Sequence, residues 1–307
     1  MLELHNALKA ALDGEVLWQE PMEKHTTFKI GGPSDIFVLP KSIEDLQKVL
    51  QLIGETQSRT GVTVPLMVIG AGSNLLVSDK GIRGVVVKID KSFSNISIEG
   101  TTVTCGAGAA LSDVSKTAGS AGLSGLEFAV GIPGNVGGAL VMNAGAYGGE
   151  IKDVISTAKA MDMEGNIIQL TKQDLHLDYR HSVFMEKRLI ALEATFSLER
   201  GDREEIARKM EDLTERRTSK QPVDMPCAGS VFKRPPDNFV GPLVEKAGLK
   251  GYRIGGAEVS TKHAGFIVNV GGATCQDVLD LIKFIQATIK EKFDVVLEPE
   301  VRVVGEL

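Results

Sequence analysis

The sequence has little cysteine, no long apolar run and no excess of positive charge. Its three cysteines, Cys105, Cys227 and Cys275, lie far apart and form no CxxC pair. That excludes a disulfide framework and the common zinc and dithiol patterns, and an odd count fits a reducing compartment. His25, His181 and His263 stand alone without ligand spacing, so no metal is expected. No stretch approaches the ~18 consecutive apolar residues of a membrane-spanning helix. Residues Met1 to Glu15 carry Glu3, His5 and Lys9 where a secretory signal needs an apolar run. The expectation is a soluble, cytoplasmic protein with no membrane partner. Lys and Arg total 34 against 40 Asp and Glu, a net charge of -6. A broad electrostatic grip on nucleic acid is therefore not expected. Small basic clusters could still hold a small anion.

The usual nucleotide fingerprints are missing too. Gly70-Ala71-Gly72-Ser73-Asn74 follows a strand-like run, but position 75 is Leu, so GxGxxG is incomplete. Gly106-Ala107-Gly108 fails likewise at Leu111, and no GxxxxGK[ST] occurs. A conventional Rossmann or P-loop site is disfavoured.

What is present is glycine: 34 in 307 residues, about one in nine, against about 7% in average proteins. The glycines crowd Gly131–Gly149 and form smaller groups at Gly70/Gly72, Gly106/Gly108 and Gly248 to Gly256. Glycine gathers where a backbone turns tightly or lies against something. At about twice the length of a ~150-residue domain, the chain is expected to form two lobes. Its 43% hydrophobic residues suffice for a core without metal or disulfides.

Ser42 opens a helix with a capping-box partner at Asp45, and Ile43, Leu46, Val49, Leu50 and Ile53 form its apolar stripe. Pro65 to Ile69 reads as a buried strand. A β-rich stretch follows through Gly84–Ile89, Ile96–Glu99 and Thr101–Cys105, then a helix over Leu111–Ala121. Val154–Met161 and Ile167–Leu170 flank a hairpin turn at Glu164-Gly165-Asn166, and Leu189–Leu198 is a further strand. Asp202 caps a charged helix, Arg203 to Thr218, and the domain boundary is drawn near residue 200. A Thr274/Asp277 box opens the last helix, and a closing strand runs through Val295–Leu297 and Val301–Val304. Strands cluster without regular helix alternation, so the fold class is α+β.

Gly131 to Gly149 is the strongest local signal. Exposed backbone N–H groups there make a concave anion site that a phosphate can approach. The plain alternative is a tightly packed loop, but Asn135, Asn143 and Tyr147 are more than such a loop needs. Two glycine loops in one β-rich lobe suggest a single extended, phosphate-bearing cofactor. Tyr179-Arg180-His181 puts an Arg in a short strand or turn, for which an Arg snorkelling from a sheet edge is the plain reading. Ser230 stands beside Gly229 and ahead of Lys233 and Arg234, and is either a turn serine or a functional hydroxyl. Glu300 lies between Pro299 and Val301, where strand alternation puts it opposite Val301; a solvent-facing Glu is the plain alternative. Arg216, Arg217 and Lys220 cluster at a helix end, which the helix dipole alone explains, although anion binding would too.

Taken in order, these landmarks resemble the UDP-N-acetylenolpyruvoylglucosamine reductase (MurB) family. The matching stretches are Thr27-Phe-Lys-Ile-Gly-Gly32, Gly70 to Leu75, Gly131 to Gly148, Tyr179 to Phe184, Gly229-Ser-Val-Phe232, Leu249-Lys-Gly251 with Ser260 to His263, and Leu297 to Arg302. The resemblance implies a PCMH-type FAD-binding fold of two subdomains and a smaller α+β C-terminal domain that closes over the substrate. It divides the chain into an N-terminal segment 1–32, an FAD domain 33–200 (subdomains 33–78 and 79–200) and a substrate domain 201–307. FAD would be held by Gly70, Gly72, Ser73, Asn74, Leu75, Pro133, Gly134, Asn135, Gly137, Gly138, Ala139, Asn143 and Gly145. NADPH would be the electron donor and a UDP-sugar the substrate, with no obligatory protein partner.

The same resemblance gives Arg180 the enolpyruvyl carboxylate, Ser230 the proton donation and Glu300 assistance at the same carbon. Tyr179, Arg217, Lys220, Lys233 and Arg234 would bind the nucleotide. Some members carry an extra tyrosine loop on the nucleotide. The span from residue 198 to 230 is too short to hold it, so the chain resembles the shorter subtype. Arg234 stands where other members place Asn. Two other readings of the residues are a flavin alcohol oxidase and a non-catalytic flavin or nucleotide-sugar sensor. The first is weakened because Gly131–Gly149 has no His or Cys to tether a flavin. The second would not need Arg180, Ser230 and Glu300 together.

Overall fold

The computed structural model describes residues 1–307. Two compact units emerge: Met1–Trp18, Ile36–Ala71 and Gly84–Arg216 form the first, and Gln19–Asp35, Gly72–Arg83 and Arg217–Leu307 the second. These units do not follow the segments 1–32, 33–200 and 201–307. The helix Arg203–Lys220 begins in the first unit because Ile206, Met210 and Leu213 bury its apolar stripe there. A Cβ on Gly119 would lie 2.8 Å from the Met210 sulfur. Residues 19–35 and 72–83 join the second unit for equally local reasons. Strand Leu75–Val77 pairs in parallel with Arg302–Val304, and Phe28 and Leu76 are buried in that unit's core. No helix is long and apolar enough to cross a membrane.

In the first unit, helix Ile43–Thr60 starts at Ser42, whose hydroxyl accepts from the Asp45 N–H (3.1 Å). Leu46, Val49, Leu50 and Ile53 are buried, each worth about 1.5–3 kcal/mol. Gly61 ends the helix in the left-handed region, at φ 69°. The expected reciprocal box does not form. Buried Asp45 instead accepts from the N–H groups of Asp13 (3.1 Å), Gly14 (3.0 Å) and Lys41 (3.0 Å). A carboxylate with three backbone donors beside it gains more there than from one helix cap. Asp45→Ala is therefore expected to cost about 2–4 kcal/mol by orphaning those donors, read as a lower thermal midpoint.

A five-stranded antiparallel sheet runs Ile167–Thr171, Ile155–Met161, Ile190–Ser197, Thr102–Gly106, Ile96–Glu99. Val103 and Cys105 alternate inward from it, and burial pushes the Cys105 thiol up to about 12. The hairpin turn forms as expected: Asp162 Oδ1 accepts from the N–H groups of Glu164 and Asn166, with Gly165 at φ 88°. Leu66–Ile69 pairs in parallel with Ile82–Lys88 and delivers the chain to Gly70.

The second unit holds the antiparallel sheet Cys227–Ser230, Phe266–Asn269, Ala257–Val259, Arg253–Ile254. The Thr274/Asp277 box forms and opens helix Cys275–Phe293. Asp79 adds a second cap, accepting from the Cys275 and Gln276 N–H groups at 2.7 and 3.1 Å. The expected closing strand is only partly realised. Residues 295–301 form no ladder beyond a bridge between Pro299 and Phe232, and the strand is Arg302–Val304 alone. Proline lacks the N–H a ladder needs, so Glu300 lies outside any strand and strand alternation does not set its face.

Candidate functional site

Within the first unit the glycine loop is a built surface with a packed back. Asn135 Nδ2 donates to the carbonyls of Ile89 (3.2 Å) and Gly108 (3.0 Å), tying two turns together. A Cβ on Gly70 would stop 3.4 Å from the Asn135 Cβ. The Val136 and Gly137 N–H groups are bonded to the carbonyls of Ala109 and Ala107. Gly137 is a packing glycine, since its Cβ would meet the Ala107 Cβ at 3.1 Å. Gly134, at φ 121°, gives its carbonyl to Leu111 N–H. The N–H groups of Gly134, Asn135 and Gly138 remain unspent.

Gly138 is exposed, and a Cβ there would meet nothing within 4 Å; Pro133 is exposed beside it. Unspent donors beside a side-chain-free, open surface fit the phosphates of a dinucleotide such as FAD. Ala139 is buried, and Gly145 packs against Glu150. Asn143 is also buried, with its amide spent on Glu150, Lys152 and Asp178.

Arg180 lies on a tight turn closed by mutual Asp178–His181 backbone bonds of 3.2 and 3.1 Å. Its φ of 56° is a left-handed conformation that a bulky residue holds only at a cost. The guanidinium sits 4.9 Å from the Tyr179 ring centre, and Tyr179 is half exposed. Beyond the turn, Glu186 accepts from His176 Nδ1 (3.0 Å) and His181 Nε2 (2.7 Å). Those two hydrogen bonds, His176 first, hold its carboxyl below the usual range.

In the second unit, Gly72 is required by close approach: at φ 66°, its Cβ would fall 2.3 Å from the His25 carbonyl oxygen. Leu75 enters the parallel pair with Arg302, and Asn74 faces the other named residues. Asn74 Nδ2 donates to the Glu300 carbonyl at 3.2 Å, and its own carbonyl accepts from Arg302 N–H at 3.0 Å. Ser230 ends strand Cys227–Ser230, half buried, with its hydroxyl donating to the Phe232 carbonyl at 3.1 Å. The Val231 carbonyl accepts from Glu300 N–H at 2.7 Å, and Lys233 N–H donates to Glu298 at 2.8 Å. The structure thus brings Asn74, Ser230 and Glu300 together on one backbone crossing.

The basic residues are less gathered. Lys233 Nζ is paired with Glu298 at 2.5 Å, and Arg234 lies 4.0 Å over the Phe239 ring. Arg217 and Lys220 sit in the last turn of Arg203–Lys220. Burial pushes the Cys227 thiol up, against smaller downward pulls from the Gly229 backbone hydrogen bond and the Arg217 charge. Ser73 follows Gly72 in the second unit.

Sequence reasoning missed Asn269. Its buried amide donates to the Phe28 and Lys29 carbonyls (3.1 and 3.4 Å) and accepts from Gly271 and Ala273 N–H groups. A lone Asn inside Phe266-Ile-Val-Asn-Val270 was the available signal. Thr27 was legible only as part of a motif. Its hydroxyl donates to the Cys227 carbonyl at 2.7 Å, three residues before Ser230. No group of three His, Cys, Asp or Glu side chains could hold a metal.

Comparison with known proteins accounts for both halves of this arrangement. Residues 34–171 match a family described as an FAD binding domain. Residues 221–304 match the UDP-N-acetylenolpyruvoylglucosamine reductase C-terminal domain. The reductase of Caldanaerobacter subterraneus subsp. tengcongensis is 51% identical over 294 residues, covering 96% of this chain and 95% of that protein. Reductase 2 of Bacillus cereus strain ATCC 14579 is 48% identical over 307 residues, covering 100% and 98%. The crystal structure of the Thermus caldophilus reductase superposes with a TM-score of 0.80 at 32% identity, covering 95% of this chain and 99% of that one. The fold is α+β, a PCMH-type FAD-binding domain with a C-terminal α+β domain. Relatives this similar along nearly the whole length make the chain a member of the UDP-N-acetylenolpyruvoylglucosamine reductase family.

Proposed function

We propose that the protein reduces the enolpyruvyl group of UDP-N-acetyl-3-O-(1-carboxyvinyl)glucosamine to give UDP-N-acetylmuramate, a step in peptidoglycan precursor synthesis. FAD is its cofactor, NADPH its electron donor and a UDP-sugar its substrate. The observation that carries the reading is the crossing that fixes Ser230 one residue from the Glu300 contact, with Asn74 tied to the same Glu300.

FAD, when bound, supplies the hydride. The protein's part is charge and proton placement. Hydride arrival at the vinyl CH2 leaves negative charge on the neighbouring carbon, delocalised into the carboxylate. Arg180 binds that carboxylate, where a guanidinium stabilises charge that grows only toward the transition state. The carbon is then basic enough to take a proton from a neutral serine hydroxyl. Ser230 keeps that proton on the Phe232 carbonyl at rest and releases it by rotation about χ1. Glu300 assists at the same carbon. Gly70, Gly72, Ser73, Asn74 and Leu75, with Pro133, Gly134, Asn135 and Gly138, form the cofactor loops. Gly137, Ala139 and Gly145 support them from behind, while the Asn143 amide is spent on Glu150, Asp178 and Lys152.

Tyr179, Arg217, Lys220, Lys233 and Arg234 are assigned to the nucleotide. Because Lys233 is one-third exposed and already paired with Glu298, its contribution is expected to be modest. Lys233→Met should raise KM for the nucleotide about 3- to 10-fold with little change in kcat.

The test is a visible spectrum of the purified protein, followed anaerobically by NADPH and then by the enolpyruvyl nucleotide. Bleaching by NADPH and recovery only with the nucleotide is the expected result. A protein that takes up no flavin when FAD is supplied overturns the reading.

A further inference from the structure

Helix Val136–Met142 of the glycine loop ends on Asn143, which adopts φ 42° and is buried. An Asn side chain has two N–H donors and one carbonyl oxygen, and all are spent on the protein. Nδ2 donates to Glu150 Oε2 at 2.6 Å and to the Asp178 carbonyl at 3.2 Å. Oδ1 accepts from the Lys152 N–H at 2.9 Å. Asp178 opens the tight turn that carries Arg180. On the other side of that turn, the Ser182 hydroxyl donates to the Val141 carbonyl at 2.7 Å. Both flanks of the Arg180 turn are therefore pinned to the last turn of one short helix. The turn needs such pinning, because Arg180 at φ 56° does not rest in that conformation unaided.

We propose that Asn143 is a positioning residue for Arg180, holding its turn on the end of the glycine-loop helix and touching neither cofactor nor substrate. This rests on the reading of Arg180 as the carboxylate ligand. Its role is visible only in the step that uses Arg180, where a displacement of about 1 Å can cost about 100-fold in rate.

The test variant is Asn143→Gly, because glycine accepts φ 42° and keeps the helix end while removing only the amide. In the flavin-loaded enzyme, FAD content should be unchanged and reduction by NADPH should stay within about twofold. Reoxidation by the enolpyruvyl nucleotide should slow by about 10- to 100-fold. Asn143→Asp keeps the shape and loses both donors, so it should be as slow as Asn143→Gly; a purely steric role would instead be rescued by it. In an Arg180→Ala background, Asn143→Gly should add little further loss, since both act through one group. Loss of FAD or of NADPH reduction in Asn143→Gly overturns the proposal in favour of a cofactor contact. Parent-like reoxidation of Asn143→Gly beside a slow Arg180→Ala overturns it while leaving Arg180 standing. Parent-like reoxidation of Arg180→Ala removes the Arg180 reading, and the positioning role with it.

Discussion

Replacing Ser230 with alanine is expected to leave flavin reduction by NADPH within about twofold of the parent rate and to slow reoxidation by the enolpyruvyl nucleotide by about 10²- to 10⁴-fold, the range for loss of a positioned general acid. The separation follows from where the proton is needed. Flavin reduction takes a hydride from NADPH and asks nothing of a serine hydroxyl. Nucleotide reduction leaves a carbanion-like centre that must be protonated. The fold should tolerate the change. Ser230 is half buried, and its one side-chain bond runs to the Phe232 carbonyl. The strand is held by other contacts: the pairing of Ser230 with Phe266 and the Val231 N–H to the Gly265 carbonyl. Ser230→Cys keeps a proton to give and should recover part of the rate. Anaerobic stopped-flow absorbance reads both half-reactions on one sample. Equal loss in both halves would make Ser230 a folding or flavin-binding residue and remove it from proton transfer.

Much of the local geometry was legible because it is carried by short contiguous words. Gly70 to Leu75, Tyr179 to Phe184 and Gly229 to Phe232 each place a turn or a polar side chain within a few residues. Helix caps at Ser42 and Thr274 were legible for the same reason. The pairing of distant segments was not. Nothing in the run Leu297 to Arg302 announces that Pro299 bridges Phe232 or that Arg302 pairs with Leu75; read alone it resembles a strand. Nor does Asp45, three residues after Ser42, reveal that its carboxylate serves Asp13 and Gly14. Glycine presented the sharpest ambiguity. Sequence marks a position where a side chain is excluded, but not whether protein or ligand excludes it. Gly72 and Gly137 are excluded by the backbone or side chains behind them, whereas Gly138 has open space where its Cβ would be.

That difference sets the second large effect. Gly138→Val should fold as the parent does yet fail to hold FAD. A Cβ at Gly138 meets nothing within 4 Å, and valine has a better helix propensity than glycine by a few tenths of a kcal/mol. Unfolding of the flavin-free protein should therefore shift by no more than about 0.5 kcal/mol. The isopropyl group would, however, stand on the open surface beside the unspent N–H groups of Gly134, Asn135 and Gly138. Charge-assisted bonds to phosphate are worth about 1.5–3 kcal/mol each. Losing two weakens FAD binding by about 100-fold or more, and the protein should purify without the flavin band. Gly72→Ala is the opposite case. Its Cβ would meet the His25 carbonyl oxygen at 2.3 Å in a left-handed backbone, so it should lose folded protein before it loses flavin. Titrating FAD into flavin-free samples and melting the same samples separates the two effects. Parent-like FAD affinity in Gly138→Val would mean that the phosphates do not reach the start of helix Val136–Met142, and the open glycine there would then need a different ligand.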